Sequence, residues 1–350
     1  MSLTLWITAL PVWAIAIVFI VALILIIKGG DVFVDAAGNI AAALKIPPLI
    51  VGATIVSLAT TLPEVIVSVS AVAKGNVDIA AGNAIGSVTA NTALVMGVLL
   101  IGMPIMVDKK DFTPKGILLF LAAGVLILSC VFTPRFQMSD GVNEGEYYSL
   151  AGIGIVVLAI LCITFFAQNI RHAKSDIKLA HTKEETAAAQ PAFTKKQIVK
   201  SIIFFILGGA GIVIGAQALV ESGSELALRF GIEQRVISVV AFALGTSLPE
   251  LITAISALRK KESAISIGNI IGANIIDLTL ILPLCAFSSV LKGNGSLAVP
   301  VQSVAIDMGV CLLTIAIAVI PTIFRGKFSR VQGGIMLTCY SAYVVSTVAF

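Results

Sequence analysis

Long apolar stretches separated by short polar segments run along the whole chain. Several continue for about 18–20 residues, enough for an α-helix to cross a bilayer core of roughly 30 Å. This pattern predicts ten membrane spans, at about 12–44, 48–73, 78–103, 114–133, 146–167, 198–230, 234–259, 264–288, 301–321 and 332–349. The first and sixth must tilt or extend past the interface, because 33 residues of helix reach about 50 Å.

Composition supports a membrane protein over an unusually apolar soluble one. Of the 350 residues, 58% are hydrophobic and 12% are charged, about half the charged fraction of ordinary soluble domains. The odd number of cysteines, all in apolar stretches, favours small buried or lipid-facing side chains over disulfides. These are Cys130, Cys162, Cys285, Cys311 and Cys339. The predicted fold class is therefore an all-α membrane protein with ten transmembrane helices.

The basic residues predict how the chain is oriented. If the N-terminus lies outside, 17 Lys and Arg fall in the inside loops and 5 in the outside loops. Because Lys and Arg concentrate in cytoplasmic loops, we expect a multi-pass cell-membrane protein with both termini outside. Residues 168–197 then form a cytoplasmic loop, whose polar composition predicts a linker.

The two halves of the chain repeat one another at a shift of 186 residues. The matched pairs are Asp35 with Glu221, Thr60 with Thr246, Pro63 with Pro249, Glu64 with Glu250, Gly82 with Gly268, Asn83 with Asn269, Gly86 with Gly272 and Asn91 with Asp277. Each half holds five spans, and an odd number makes the halves enter the membrane in opposite directions, as in many transporters. The predicted organisation is a first repeat at 1–167 with its core at 52–103, the loop at 168–197, and a second repeat at 198–350 with its core at 236–288.

Glu64 and Glu250 are the strongest functional candidates. Each lies in the middle of a predicted span, where an acidic side chain costs roughly 2.5–3.5 kcal/mol. No basic residue lies near them at that depth, since Lys28 is expected closer to the cytoplasmic side. Two such carboxylates at matched positions indicate a working site and not a structural ion pair.

The residues before each glutamate add neutral oxygen donors. Pro63 and Pro249 lack an N–H, so they leave main-chain carbonyls one turn earlier without a partner. The expected donors are the carbonyls near Ser57 and Ala243 and the hydroxyls of Thr60, Thr61, Thr246 and Ser247. Carboxylate, carbonyl and hydroxyl oxygens without sulfur or imidazole are the ligands of a hard cation.

The third and eighth spans are expected to form the opposite wall. Ser87 and Asn91 are four residues apart and share a helix face, whereas Ala273 and Asp277 take these positions in the second repeat. The glycine pairs 82/86 and 268/272 predict faces for close helix packing. Asn83 and Asn269 are either ligands or interhelical glue, and glue is favoured. The acids at 31, 35, 221 and 225 either line an ion access path or lie at hydrated helix ends.

These motifs resemble the cation/calcium exchanger superfamily, in particular its sodium/calcium exchanger branch. The resemblance rests on ATTLPE at 59–64 with GNAIGSVTAN at 82–91, and on GTSLPE at 245–250 with GNIIGANIID at 268–277. It implies Ca²⁺ bound by Glu64, Glu250, Thr60 and Thr246. It also implies Na⁺ sites that share these glutamates with Ser87, Thr61, Ser247, Asn91 and Asp277, and a sliding pair formed by the first and sixth helices.

The expected function is exchange of Ca²⁺ for Na⁺ by alternating access, with Ca²⁺ export as the expected direction and no cofactor besides the transported ions. The family pattern has a serine where Ala273 stands, which leaves the ion stoichiometry open. An H⁺- or K⁺-coupled Ca²⁺ exchanger is the first alternative, and a Ca²⁺ channel is a less favoured one. No nucleophile–His arrangement supports an intramembrane enzyme, and the expected partners are the ions and the lipid bilayer, without nucleic acid or a required protein.

Overall fold

The computed structural model describes residues 3–75, 77–102, 105–139, 144–150, 152–184, 194–231, 247–293 and 296–349. Continuous α- and π-helical runs are counted here as single helices. They are α1 Leu3–Thr8, α2 Val12–Leu44, α3 Pro48–Ala73, α4 77–102, α5 Lys109–Val131, α6 Ile153–Glu184, α7 Lys195–Arg229, α8 Leu248–Arg259, α9 Ser263–Leu291, α10 Ser303–Arg325 and α11 Arg330–Ala349. The strands are β1 Phe136–Ser139, β2 Glu144–Leu150 and β3 Leu297–Pro300.

Eight of these helices, within the described ranges, are long and apolar enough to cross a membrane. They are α2 to α7, α9 and α10, which confirms eight of the ten predicted spans. The seventh predicted span, 234–259, lies partly outside the described residues, and its described remainder forms α8. The tenth coincides with α11 but does not meet the same criteria, so the count of ten stays a prediction.

The long helices α2 and α7 pack against each other through glycines and run antiparallel. A Cβ atom on Gly29 would lie 3.0 Å from the carbonyl oxygen of Gly208 and 3.1 Å from the nitrogen of Ile212. Gly215 of α7 is the residue matched to Gly29, and a Cβ atom on it would lie 2.7 Å from Ile26 Cγ1. These glycines therefore let the two helices approach closely.

A small antiparallel sheet lies outside the helices and corrects one predicted boundary. β2 pairs with both β1 and β3, so that Tyr147 faces Phe136 on one side and Pro300 on the other. The prediction that a span begins at residue 146 is wrong, because α6 begins only at Ile153. Aromatic residues favour strands, and the buried Tyr147 ring supplies the packing that holds β2 in the sheet.

The predicted linker at 168–197 is also partly wrong. α6 continues to Glu184, because residues 168–184 hold many good helix formers and neither Gly nor Pro. Residues 185–193 lie outside the described ranges. α7 then starts at a capping box, in which Thr194 and Gln197 satisfy each other's main-chain N–H groups.

Helices α4 and α9 are the most buried of the membrane helices. In each of them, 78% of the 18-residue apolar stretch is buried inside the protein. α9 packs on α3, on α8 and on α4. These four helices carry all the described residues of the predicted ion site, which therefore lies in the centre of the protein.

Candidate ion-binding site

α3 brings Glu64 and its neighbouring donors into the protein interior. Ser57, Thr60 and Glu64 are at most 3% exposed. The helix stays continuous through Pro63, but a π-helical stretch, Gly52–Val56, precedes Ser57. π-helical turns shift the main-chain hydrogen bonds by one residue and often occur at functional sites. They change which carbonyls are available near Ser57.

The second repeat supplies its glutamate from a helix end. α8 begins at Leu248, with Pro249 in its first turn and Glu250 directly after it. A proline in the first turn needs no intrahelical partner for its missing N–H, so its effect differs from that of Pro63. Ser247 and Glu250 are buried. The predicted donors Thr246 and Ala243 lie outside the described residues.

α4 and α9 form the opposite wall as predicted, and both change helical register there. Ser87, Asn91, Ala273 and Asp277 are all at most 2% exposed. Asn91 lies in the π-helical stretch Ala90–Val95, and Asp277 begins the stretch Asp277–Ile281. The matched polar positions therefore share an uncommon backbone geometry.

Glycines bring α9 into main-chain contact with α3. A Cβ on Gly268 would lie 2.3 Å from the carbonyl oxygen of Leu49, and one on Gly272 would lie 2.4 Å from that of Ala53. The packing face predicted for these two glycines is confirmed. The segment that should face Gly82 and Gly86 by repeat symmetry, 235–243, lies outside the described residues.

Three buried carboxylates lie close together, and three further buried side chains offer neutral oxygens. Glu64 lies close enough to Glu250 and Asp277 for the charges to interact. No described residue forms a hydrogen bond with either carboxylate oxygen of Glu64, Glu250 and Asp277, or with the side-chain oxygens of Thr61, Asn91 and Ser247. The Thr60 hydroxyl lies near Glu250 without meeting hydrogen-bond geometry. Because buried polar groups are nearly always satisfied, these oxygens need partners such as cations, protons or ordered water, and the carboxylates need compensation of their charge.

The carboxylates alone do not make a compact metal centre. Among the described residues, no three His, Cys, Asp or Glu side chains are close enough to hold one metal ion together. A cation between Glu64 and Glu250 would therefore need hydroxyl, amide and carbonyl oxygens as further ligands. Ca²⁺ takes six to eight oxygen ligands and tolerates such mixed sets.

The asparagines join α3 to α4 and α9. Asn83 Nδ2 donates to Ser68 Oγ at 2.9 Å and lies 3.3 Å from the carbonyl oxygen of Glu64. Thr60 Oγ1 donates to Asn269 Oδ1 at 3.2 Å. Both contacts agree with the interpretation of these residues as interhelical glue.

One interhelical hydrogen bond near the site was not predicted from the sequence. Asn274 Nδ2 on α9 donates to Thr92 Oγ1 on α4 at 2.9 Å, and both residues are buried. They do not occupy matched repeat positions, so a comparison of the repeats could not find them. The available signal was their place in the sequence, because Thr92 directly follows Asn91 and Asn274 lies three residues before Asp277.

We expect Asn83→Ala to lower stability by about 1–3 kcal/mol, because it removes the buried hydrogen bond to Ser68 and the contact with the Glu64 carbonyl. The measurement is thermal unfolding of the purified protein in detergent, with and without Ca²⁺. If Asn83 is glue, the shift in unfolding temperature produced by Ca²⁺ stays as in the wild type. Loss of that shift in Asn83→Ala but not in Ser68→Ala would instead identify Asn83 as a ligand.

Comparisons with known proteins show the family of the chain. A family model for the sodium/calcium exchanger protein matches residues 14–168 and 200–349. The inner membrane protein YrbG of Escherichia coli strain K12 is 34% identical over 269 residues, covering 76% of this chain and 78% of YrbG. The sodium/calcium exchanger MaX1 of Methanosarcina acetivorans is 28% identical, with coverage of 94% and 97%. A structure of the sodium-calcium exchanger NCX_Mj, soaked with Na⁺ and Sr²⁺, matches with a TM-score of 0.74 at 26% identity, covering 96% of this chain and 99% of that chain.

Proposed function

Because the chain belongs to the sodium/calcium exchanger family, we propose that it is a secondary antiporter that exchanges Ca²⁺ for Na⁺ by alternating access. The observation that carries this proposal is the group of buried carboxylates Glu64, Glu250 and Asp277, whose oxygens form no hydrogen bond with any described residue. We place both termini outside, and an inward Na⁺ gradient would drive Ca²⁺ export.

In this proposal Ca²⁺ binds between Glu64 and Glu250, with Thr60 and Thr246 as hydroxyl ligands and carbonyls near Ser57 and Ala243 as further donors. Na⁺ ions bind to the same two glutamates and to five further side chains. These side chains are Ser87, Thr61, Ser247, Asn91 and Asp277. All the described members of both sets are buried, and Glu64 lies close enough to Glu250 and Asp277 for their charges to interact, which supports competition between the two ions.

Charge compensation would couple the ions to the conformational change. Three ionised carboxylates carry a charge of about −3, which is unfavourable in a buried site. One Ca²⁺ or several Na⁺ ions, with or without a bound proton, offset most of that charge. The protein would therefore switch between its two access states only when the site is loaded, which prevents a one-way leak.

Local backbone features support two inverted repeats of five helices. Lys45 and Gly231 both have positive φ angles, of 57° and 81°, and their numbers differ by the shift of 186. The same relation joins Gly75 and Lys261, with φ angles of 87° and 61°. Together with the matched π-helical stretches, these features favour repeats that fold alike, and a site between inverted repeats is a common transporter arrangement.

The test is Ca²⁺ uptake into vesicles that contain the purified protein, with Na⁺, K⁺ and H⁺ gradients imposed separately. We expect an outward Na⁺ gradient to drive uptake and the other two gradients to have little effect. Uptake that follows the pH gradient and ignores Na⁺ would overturn Na⁺ coupling but keep Ca²⁺ exchange. Equal uptake by protein-free vesicles would overturn the transport function itself.

Proton coupling has one specific observation in its favour. Ala273 is fully buried at the position matched to Ser87 and offers no hydroxyl to a Na⁺ ion. A proton on Asp277 would then replace the missing cation charge. In this case Asp277→Asn would remove the pH dependence of uptake in the same vesicles while Ca²⁺ binding persists.

A further inference from the structure

The two long helices contact the rest of the protein unequally at matched positions. A Cβ on Gly30 of α2 would lie 2.8 Å from Ile252 Cγ2 and 2.8 Å from Ser256 Oγ, so α2 lies tightly against α8. The repeat counterparts of Ile252 and Ser256 are Ile66 and Ser70 on α3. Ser256 is buried, whereas Ser70 is exposed and Ile66 is 63% exposed. The crevice between α2 and α8 is therefore closed, and that between α7 and α3 is open.

Ion pairs hold the closed crevice at one face of the protein. Lys260, directly after α8, approaches Asp35 on α2 with a distance of 2.5 Å between Nζ and Oδ1. Arg259 lies 3.8 Å from Asp31 by Nη1 and Oδ1. Of the two interpretations of Asp31 and Asp35 left open by the sequence, the hydrated helix end fits these contacts. Each pair joins a long helix to a helix of the ion site.

The Asp35–Lys260 pair has a counterpart in the other repeat. The shift of 186 matches Asp35 with Glu221 on α7 and Lys260 with Lys74 after α3. Both lysines precede a residue with a left-handed backbone, Lys261 or Gly75, so the two helix ends turn in the same way. Lys74 is exposed in this structure. The Asp31–Arg259 pair has no acid–base counterpart, because the matched residues are Gln217 and Ala73.

Glu221 and Lys74 lie at the same face, opposite to Asp35 and Lys260. α7 runs antiparallel to α2, and Arg229 at its end donates to the carbonyl oxygens of Thr8 and Leu10, just before α2 begins. The Glu221 end of α7 is thus at the face where α2 starts. α3 begins at the other face and crosses to end beside Lys74. The open crevice between α7 and α3 lies between these two residues.

We propose that Asp35–Lys260 and Glu221–Lys74 are alternating latches, each closed in one of the two access states. The proposal rests on the proposed alternating-access function. If each repeat adopts the other's arrangement in the opposite state, Glu221 approaches Lys74 while Lys260 separates from Asp35. An ion pair present in one state alone shifts the equilibrium by its own free energy. Asp35 is 62% exposed, and an exposed pair changes the ratio of states by at most about five-fold.

The test compares Lys260→Gln with Lys74→Gln in sealed vesicles, as apparent KM for Ca²⁺ at each face. Lys260→Gln opens one latch, so we expect a lower KM at the Lys260 face and a higher KM at the Lys74 face. The ratio of the two KM values should change by about two- to five-fold. Lys74→Gln should move this ratio in the opposite direction, and the double variant should return it close to the wild-type value.

Two controls separate a latch from a loss of structure. Exchanging the charges, with Asp35→Lys and Lys260→Asp together, should restore the ratio, and the exposed Lys292→Gln should leave it unchanged. A destabilised protein would lose flux without moving the two KM values in opposite directions. Equal KM changes for both lysine variants, or none, would overturn the proposal.

A cross-linking experiment tests the latch without relying on transport. Cysteines replace Glu221 and Lys74 in a Cys339→Ser background, and a short bifunctional thiol reagent joins them when they approach. Adding Lys260→Gln should raise the cross-linked fraction by about two- to five-fold, because it populates the state in which this pair is close. An unchanged cross-linked fraction would overturn the latch proposal, even if the vesicle experiments show that the protein exchanges Ca²⁺. An increased fraction would support the latch proposal, even if those experiments show no exchange.

Discussion

Replacing Glu64 or Glu250 by glutamine is expected to abolish Ca²⁺ transport. Each carboxylate is about 1% exposed and accepts no hydrogen bond from any described residue, so its charge is available to a bound cation. Removing one partner of a buried charge pair costs about 3–5 kcal/mol, which corresponds to a loss of affinity of 100-fold or more. The measurement is Ca²⁺ uptake by vesicles over a range of Ca²⁺ concentrations.

The matched control is Glu146→Gln, which removes an acid from the small sheet. Glu146 is exposed and paired with Arg135, so its loss should leave uptake within about two-fold of the wild type, as is usual for exposed ion pairs. Both site variants should still unfold cooperatively, and neutralising a buried carboxylate can raise their stability without Ca²⁺. Normal flux in Glu64→Gln or Glu250→Gln would contradict the proposed site.

Much of the membrane fold and most of the candidate site could be predicted from the sequence. Polar residues are costly at membrane depth, so Glu64, Glu250 and Asp277 stand out against their apolar surroundings. Their repetition at a fixed shift, with proline and glycine beside them, indicates which helices must meet. Bilayer thickness limits helix length, which explains why seven of the eight confirmed spans were predicted within a few residues, the exception being the span predicted at 146–167.

Features outside that constraint were harder to predict. The strand Glu144–Leu150 and the helical continuation of α6 to Glu184 lie where the lipid no longer dictates the structure. Pairing with β3 determines that Glu144–Leu150 forms a strand. Local helix propensity determines that α6 continues to Glu184. The Asn274–Thr92 bond joins two positions that do not match between the repeats. The comparison of the repeats that identified the site residues therefore could not reveal this bond.

The difference between the two crevices is a property of a conformational state. Nearly equivalent repeats encode two arrangements, and each repeat must be able to adopt both. The sequence therefore predicts Glu221 and Asp35 as equivalent residues, whereas in the structure Asp35 is paired with Lys260 and the matched Lys74 is exposed. This is why the sequence left their role open between an access path and a hydrated end.

Replacing Gly268 or Gly272 by alanine is expected to destabilise the protein more than the other substitutions proposed above. The new methyl group would lie 2.3 Å or 2.4 Å from a carbonyl oxygen of α3, and a main-chain atom in a packed helix cannot move aside as a side chain can. Overpacking of this kind costs up to about 3 kcal/mol and occasionally more. To relieve the contact, α3 and α9 must separate, which also moves Glu64 away from Asp277.

The stability of purified Gly268→Ala and Gly272→Ala, measured by thermal unfolding in detergent, tests this packing against Gly124→Ala as the control. Gly124 lies in the membrane helix α5, and no described atom lies within 4 Å of an added Cβ. Alanine there should be neutral or stabilise by about 0.4–1 kcal/mol, because it restricts the unfolded chain. If all three variants unfolded alike, the contact between α3 and α9 would be looser than these distances. A selective loss in the first two, together with weaker Ca²⁺ binding, would show that the approach of these helices positions the ion site.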